Sequence, residues 1–205
     1  MEIVGRRSSV FTRMPLIFAE TFGVPYTFVA IHDMKDLDPA AYAGNPALKM
    51  PALRRNGSLL LGALNICRAI AEAADAQRRV VWPEELRDDE SRTAQELVWH
   101  CMAAQVQYVM GAVLGKLPAD NIFFAKTLNG LRGSLRWLED HVTDALSALP
   151  DQRLVSTFEA SLFCLIEHLV FRPSISLDSY PALLEFSQQF GSRASARKTA
   201  YTFDA

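Results

Sequence analysis

Every strand signal in this 205-residue chain falls before residue 62, and helical periodicity takes over from there. Residues 2–4, Tyr26 to Ile31, Met50 to Leu53 and Leu59 to Leu61 are short runs of aliphatic, β-branched or aromatic residues bounded by turn formers. Between the first two runs, Thr12 before Arg13-Met14-Pro15 reads as a hydroxyl N-cap with proline in the first turn. That helix would stop at Gly23. The result is a β-α-β unit, whose crossover makes its strands parallel. Arg55-Asn56-Gly57-Ser58 is a hairpin turn signal, and Leu64 to Ala74 reads as helix. Pro51 inside a strand run would remove a ladder donor, so a cis Met50-Pro51 bond at the strand start is the expected form.

Residues 88–114, 121–149, 156–171 and 180–190 carry apolar residues at helical spacing. Ser156-Thr157-Phe158-Glu159 has the pattern of a capping box. Gly111, Gly115, Gly130 and Gly133 mark weak points or close contacts in the two long helices. The expected organisation is therefore an α/β domain over residues 1–77, a polar joint over 78–85, and an all-α bundle over 86–205.

Half the residues are hydrophobic, 21% are charged and the net charge is −2, with no basic stripe. That composition supports a packed core and argues against intrinsic disorder and a nucleic-acid partner. Cys67, Cys101 and Cys164 are odd in number and lie far apart in apolar stretches. They read as small core residues, with neither a disulfide framework nor a metal site. His32, His100, His141 and His168 have no partner at ligand spacing. Arg6, Arg7 and Arg13 interrupt any leader-like apolar run, and the most apolar segment, Ser161 to Phe171, is short and contains Glu167 and His168. A cytoplasmic protein with reduced thiols and no membrane partner is the expectation.

Three groups of residues carry a resemblance. Ser8-Ser9 and Gly23-Val24-Pro25-Tyr26 resemble the opening β-α-β of serine-type cytosolic glutathione transferases. Asn45-Pro46-Ala47-Leu48-Lys49-Met50-Pro51-Ala52-Leu53 is similar to that family's segment ending in a cis-proline. The Ser156-to-Glu159 box, Tyr180-Pro181-Ala182-Leu183 and residues 193–199 resemble its later helices. The resemblance implies a thioredoxin-like N-terminal domain, a helical C-terminal domain, a homodimer, and glutathione as co-substrate with no metal. It further implies transfer of the glutathione thiolate to a small hydrophobic electrophile, as in detoxification. One position departs: where the family places an acidic residue and a serine to grip the γ-glutamyl end, this chain has Gly62-Ala63.

Thiol conjugation needs a thiolate, and a free thiol with a pKa near ~8.5 is mostly protonated at neutral pH. A hydroxyl donor beside the sulfur, close to a helix N-terminus, stabilises the anion. Ser9 lies between the first strand and helix and is the candidate, with Ser8 and Thr12 as alternatives. The resemblance assigns tripeptide binding to Lys49, Met50 through its backbone, Pro51, Gly62, Ala63 and Asn65. An acceptor pocket is expected from Phe11, Trp99, Met102 and Val106, which are equally good core or interface residues. The Gly62-Ala63 departure keeps open a non-catalytic interaction module of the same fold, or a relative that uses another small ligand.

Overall fold

The computed structural model describes residues 1–204, which divide into two compact units: residues 1–80 together with those from Gly191 onward, and residues 81–190. In the first unit, β1 (Glu2–Gly5), β2 (Thr27–Ala30), β3 (Ala52–Arg55) and β4 (Ser58–Leu61) form one sheet in the order β2-β1-β3-β4. β1 and β2 run parallel, while β1–β3 and β3–β4 are antiparallel. The Met50-Pro51 bond is cis, and β3 begins at the next residue, so the proline precedes the ladder instead of interrupting it. Ile3 and Leu53, opposite each other across β1 and β3, are fully buried.

Helix α1 (Val10–Phe22) starts three residues earlier than a Thr12 cap would allow. Ser9 is the N-cap, its hydroxyl accepting from the Thr12 N–H at 3.3 Å. Thr12 instead faces the sheet at 0% exposure, and a Cβ on Gly5 would lie 2.5 Å from its hydroxyl oxygen. Glycine at the end of β1 is therefore what lets α1 cross so closely. Pro15 sits inside the helix, where it lacks the N–H for a bond four residues back. Gly23 ends the helix in the left-handed conformation, φ 66°. Helix α2 (Ala63–Ala73) follows β4 and packs on α1.

The expected boundary placed residues 86–205 in one helical domain. The contacts return the segment from Gly191 onward to the first unit. Helix α7 (Ala194–Lys198) packs on α1, where the Arg13 guanidinium, 2% exposed, donates to the Ala196 carbonyl at 3.2 Å. The same guanidinium lies over the Tyr201 ring at 4.3 Å. These partners are more than 180 residues apart in sequence, and no local pattern announces them.

The second unit contains α3 (Asp89–Tyr108), α4 (Ile122–Ser147) and α5 (Thr157–Phe171), and α6 (Pro181–Gly191) as far as Phe190. α5 is buried on nearly every side, as its apolar composition predicts. The capping box forms: the Ser156 hydroxyl accepts from Glu159 N at 2.9 Å, and the Glu159 carboxylate accepts from Ser156 N at 2.9 Å. Asp88 caps α3, and the Ser91 backbone and side-chain donors hold its carboxyl below the ordinary range. α3 is followed directly by a π-helix over Val109–Leu114. Gly111 admits the Phe124 ring there, since a Cβ would lie 2.5 Å from it. Gly130 and Gly133 face open space instead.

Two findings differ from expectation. Strand structure recurs after residue 62 as two-residue strands, β5 (Val80–Val81) and β6 (Val155–Ser156), too short to leave an alternating pattern. The continuous run Asp89–Leu114 is long and apolar enough to cross a membrane by length and composition alone. Its buried Gln95 and Gln105 are hydrogen-bonded within the second unit. Gln95 bonds Thr157 and Ser161, and Gln105 bonds the Arg172 carbonyl and Ser174.

Candidate functional site

The sheet register assembles the site. Ala52 pairs with Val4 on one side and with Leu61 on the other. The residues that follow β1, precede β3 and follow β4 therefore emerge at one end of the sheet. They are the Gly5–Ser9 loop, cis Met50-Pro51 and the Gly62–Asn65 turn. Both α1 and α2 begin at this end and bring their N-terminal N–H groups and positive dipole ends to it.

Ser9 is half-buried and sits at the α1 N-cap. Its oxygen accepts from Thr12 N, which leaves its own O–H to donate elsewhere. Ser8 is buried and Thr12 is wholly buried, so of the three hydroxyls Ser9 is the most accessible. Arg6 to Ser9 form a tight turn, with Ser9 N donating to Arg6 O at 3.1 Å.

Asn45 organises the approach to Met50. Its amide donates to the Lys49 carbonyl at 2.8 Å, and its oxygen accepts from Ala47 N at 3.0 Å. This buried clamp was not singled out from the sequence, although asparagine before proline in a turn has that capacity. The Lys49 side chain is exposed, Met50 is half-buried and Pro51 is buried.

At the α2 N-terminus Gly62 is exposed with φ 90°, and no side chain caps the helix. The Asn65 amide nitrogen turns back to the Leu61 carbonyl at 3.0 Å and braces the turn. Its oxygen is the side-chain acceptor left at this corner.

Of the expected pocket residues, Phe11 is half-buried on α1 in the first unit. Trp99 and Val106 are half-buried on α3 in the second. Met102 corrects the expectation: at 0% exposure it belongs to the core of the second unit and cannot line an open pocket. Its place in the heptad-like spacing of α3 serves helix packing. Two open grooves of about 460 and 400 Å³ occur in the first unit. The first is lined by Arg7, Glu20, Tyr26 and Phe28, the second by Glu2, Arg54, Arg55 and Ser58; neither contains Ser9, Met50 or Asn65. The site is defined by converging strand ends and helix N-termini. Cys67, Cys101 and Cys164 are all buried, and burial pushes the Cys101 thiol up to about 12.

Residues 8–73 match the family model of the glutathione S-transferase N-terminal domain. The chain carries that domain within a glutathione-transferase fold. A glutathione S-transferase from Methylobacillus flagellatus KT with glutathione bound superposes with a TM-score of 0.76 at 19% identity, covering 98% of this chain and 99% of that one. A glutathione transferase family member from Pseudomonas fluorescens Pf-5, also with bound glutathione, gives 0.77 at 20% identity over 98% of both chains. A glutathione S-transferase from Methylobacterium radiotolerans in complex with glutathione sulfonate gives 0.76 at 15% identity, covering 100% and 97%. At these identities the likeness is one of glutathione-transferase fold. No curated protein matches the sequence.

Proposed function

We propose that this protein is a glutathione transferase that binds glutathione at the strand ends of its first unit and transfers the thiolate to a small hydrophobic electrophile. The observation that carries the reading is the convergence of Ser9, Met50-Pro51 and the Gly62–Asn65 turn at one end of the sheet, beside two helix N-termini. Ser9 donates its O–H to the sulfur, and the α1 dipole adds to stabilisation of the thiolate. The Met50 backbone pairs with the cysteinyl backbone in strand fashion. The unpaired N–H groups of Ala63 and Leu64 face the γ-glutamyl carboxylate, and the Asn65 oxygen accepts from its ammonium. Lys49 reaches the glycyl carboxylate. Phe11, half-buried on α1, supplies apolar surface for the electrophile. The working form in this proposal is a cytoplasmic homodimer.

The missing acidic side chain has a cost. Each hydrogen bond lost to a charged group is worth roughly 1.5–3 kcal/mol, or tenfold or more in affinity. Calorimetric titration with reduced glutathione tests the reading. A dissociation constant between micromolar and low millimolar supports it, and Asn65→Ala then weakens binding further. Absence of binding at several millimolar refutes it. In that case the uncapped α2 N-terminus, with the Asn65 amide committed to Leu61, favours a non-catalytic interaction module of the same fold.

A further inference from the structure

We infer that Asp204 is a positioning residue for Ser9, an inference that rests on the proposed transferase reading. The turn Arg6–Ser9 delivers Ser9 to the cap of α1, and the helix holds only its far end. The near end is held from the other terminus of the chain. The Asp204 carboxylate, with its side chain 5% exposed, accepts from the Arg7 N–H at 2.9 Å and lies 4.0 Å from the Arg6 guanidinium. The Arg6 guanidinium in turn donates to the His32 carbonyl beyond the end of β2 at 2.7 Å. One carboxylate thus fixes the second residue of the turn by its backbone and the first by its side chain.

A backbone N–H bonded to a buried carboxylate makes a strong, directional link. Proximity to a reacting atom depends on sub-ångström placement, so a loosened turn weakens the Ser9-to-sulfur bond without touching either group. Ser9 is set from both sides: Thr12 N fixes its oxygen, and Asp204 fixes the turn that delivers it.

The test compares Asp204→Ala with Asp204→Asn by amide hydrogen exchange of the full chain, alongside the pH titration of bound glutathione thiolate. In the alanine variant, exchange of the 7–9 amides should rise about tenfold, the equivalent of one lost charge-assisted hydrogen bond. The apparent thiol pKa should rise with it. Asparagine keeps an acceptor oxygen for Arg7 N–H but not the charge, so it should recover part of both readouts. Unchanged exchange in the alanine variant overturns the proposal. So does exchange that rises equally at α7 and at residues 7–9, or an asparagine variant no better than alanine. Exchange needs no ligand, so it decides the role of Asp204 even where glutathione fails to bind and the transferase reading falls separately.

Discussion

In the proposed transferase Ser9 has two separable jobs, and substitution can pull them apart. As N-cap of α1 its oxygen accepts from Thr12 N at 3.3 Å. Losing a serine cap costs about 1 kcal/mol, and for a chain of this size that lowers Tm by roughly 2–4 °C. As thiolate donor, its O–H is worth about 1.5–3 kcal/mol in a bond to a charged group. At 1.36 kcal/mol per pKa unit, Ser9→Ala should raise the thiol pKa of bound glutathione by roughly 1–2 units. Aspartate separates the two roles, because it caps as well as serine but has no proton to give at neutral pH. Ser9→Asp should unfold near the wild-type temperature. Its bound thiol should titrate higher than in Ser9→Ala, because a carboxylate repels the thiolate. Thermal unfolding reads the first effect, and ultraviolet absorbance of the thiolate against pH reads the second. An alanine variant as stable as wild type refutes the cap. An aspartate variant with a wild-type thiol pKa refutes the donor role.

Three further outcomes follow from the geometry. Glu159→Ala removes a carboxylate that accepts from Arg153 Nε and Nη2 at 2.9 Å and from the Ser156 N–H at 2.9 Å, leaving a buried donor unpaired. The expected loss is about 3–5 kcal/mol by urea unfolding, with much of it shared in a double-mutant cycle with Arg153→Ala. Cys101, its thiol pushed up to about 12 by burial, should resist maleimide at pH 8 in the native protein and react once the chain is unfolded. Tyr42 donates to the Met34 carbonyl, and burial, then Asp36 and Asp33, raise its phenol above the ordinary value of 10.0. The folded state therefore keeps this proton longer than the unfolded chain does. Its contribution is complete below pH 10 and falls as pH rises through the folded value, a decline that Tyr42→Phe should flatten in unfolding titrations.

Local chemistry made much of this molecule readable in its residues. The hairpin at Asn56-Gly57, the stop at Gly23, the capping box at Ser156 and Glu159, and the cis bond before Pro51 each follow from one or two side chains acting on adjacent backbone. Those same features, taken in order, suffice to recognise the α/β-then-helical plan. The start of α1 was misjudged because Ser9 and Thr12 are both good caps in isolation. Burial against Gly5 decides between them, and burial is a property of the packed sheet and helix. Met102 looked like a pocket residue for the same reason: α3 spacing shows a face but not what covers it.

What the amino-acid order determined by itself is the set of elements, the Ser9 loop, the proline turn and the glycine-alanine departure at residues 62–63, because each depends on interactions within a few residues. What the tertiary structure alone decided is their convergence, through the pairing of Val4, Ala52 and Leu61. It also decided the return of Ala196, Tyr201 and Asp204 to the first unit. Contacts spanning 180 residues or more leave no periodic trace in a sequence, since they arise from complementary surfaces that exist only once the strands and helices have packed.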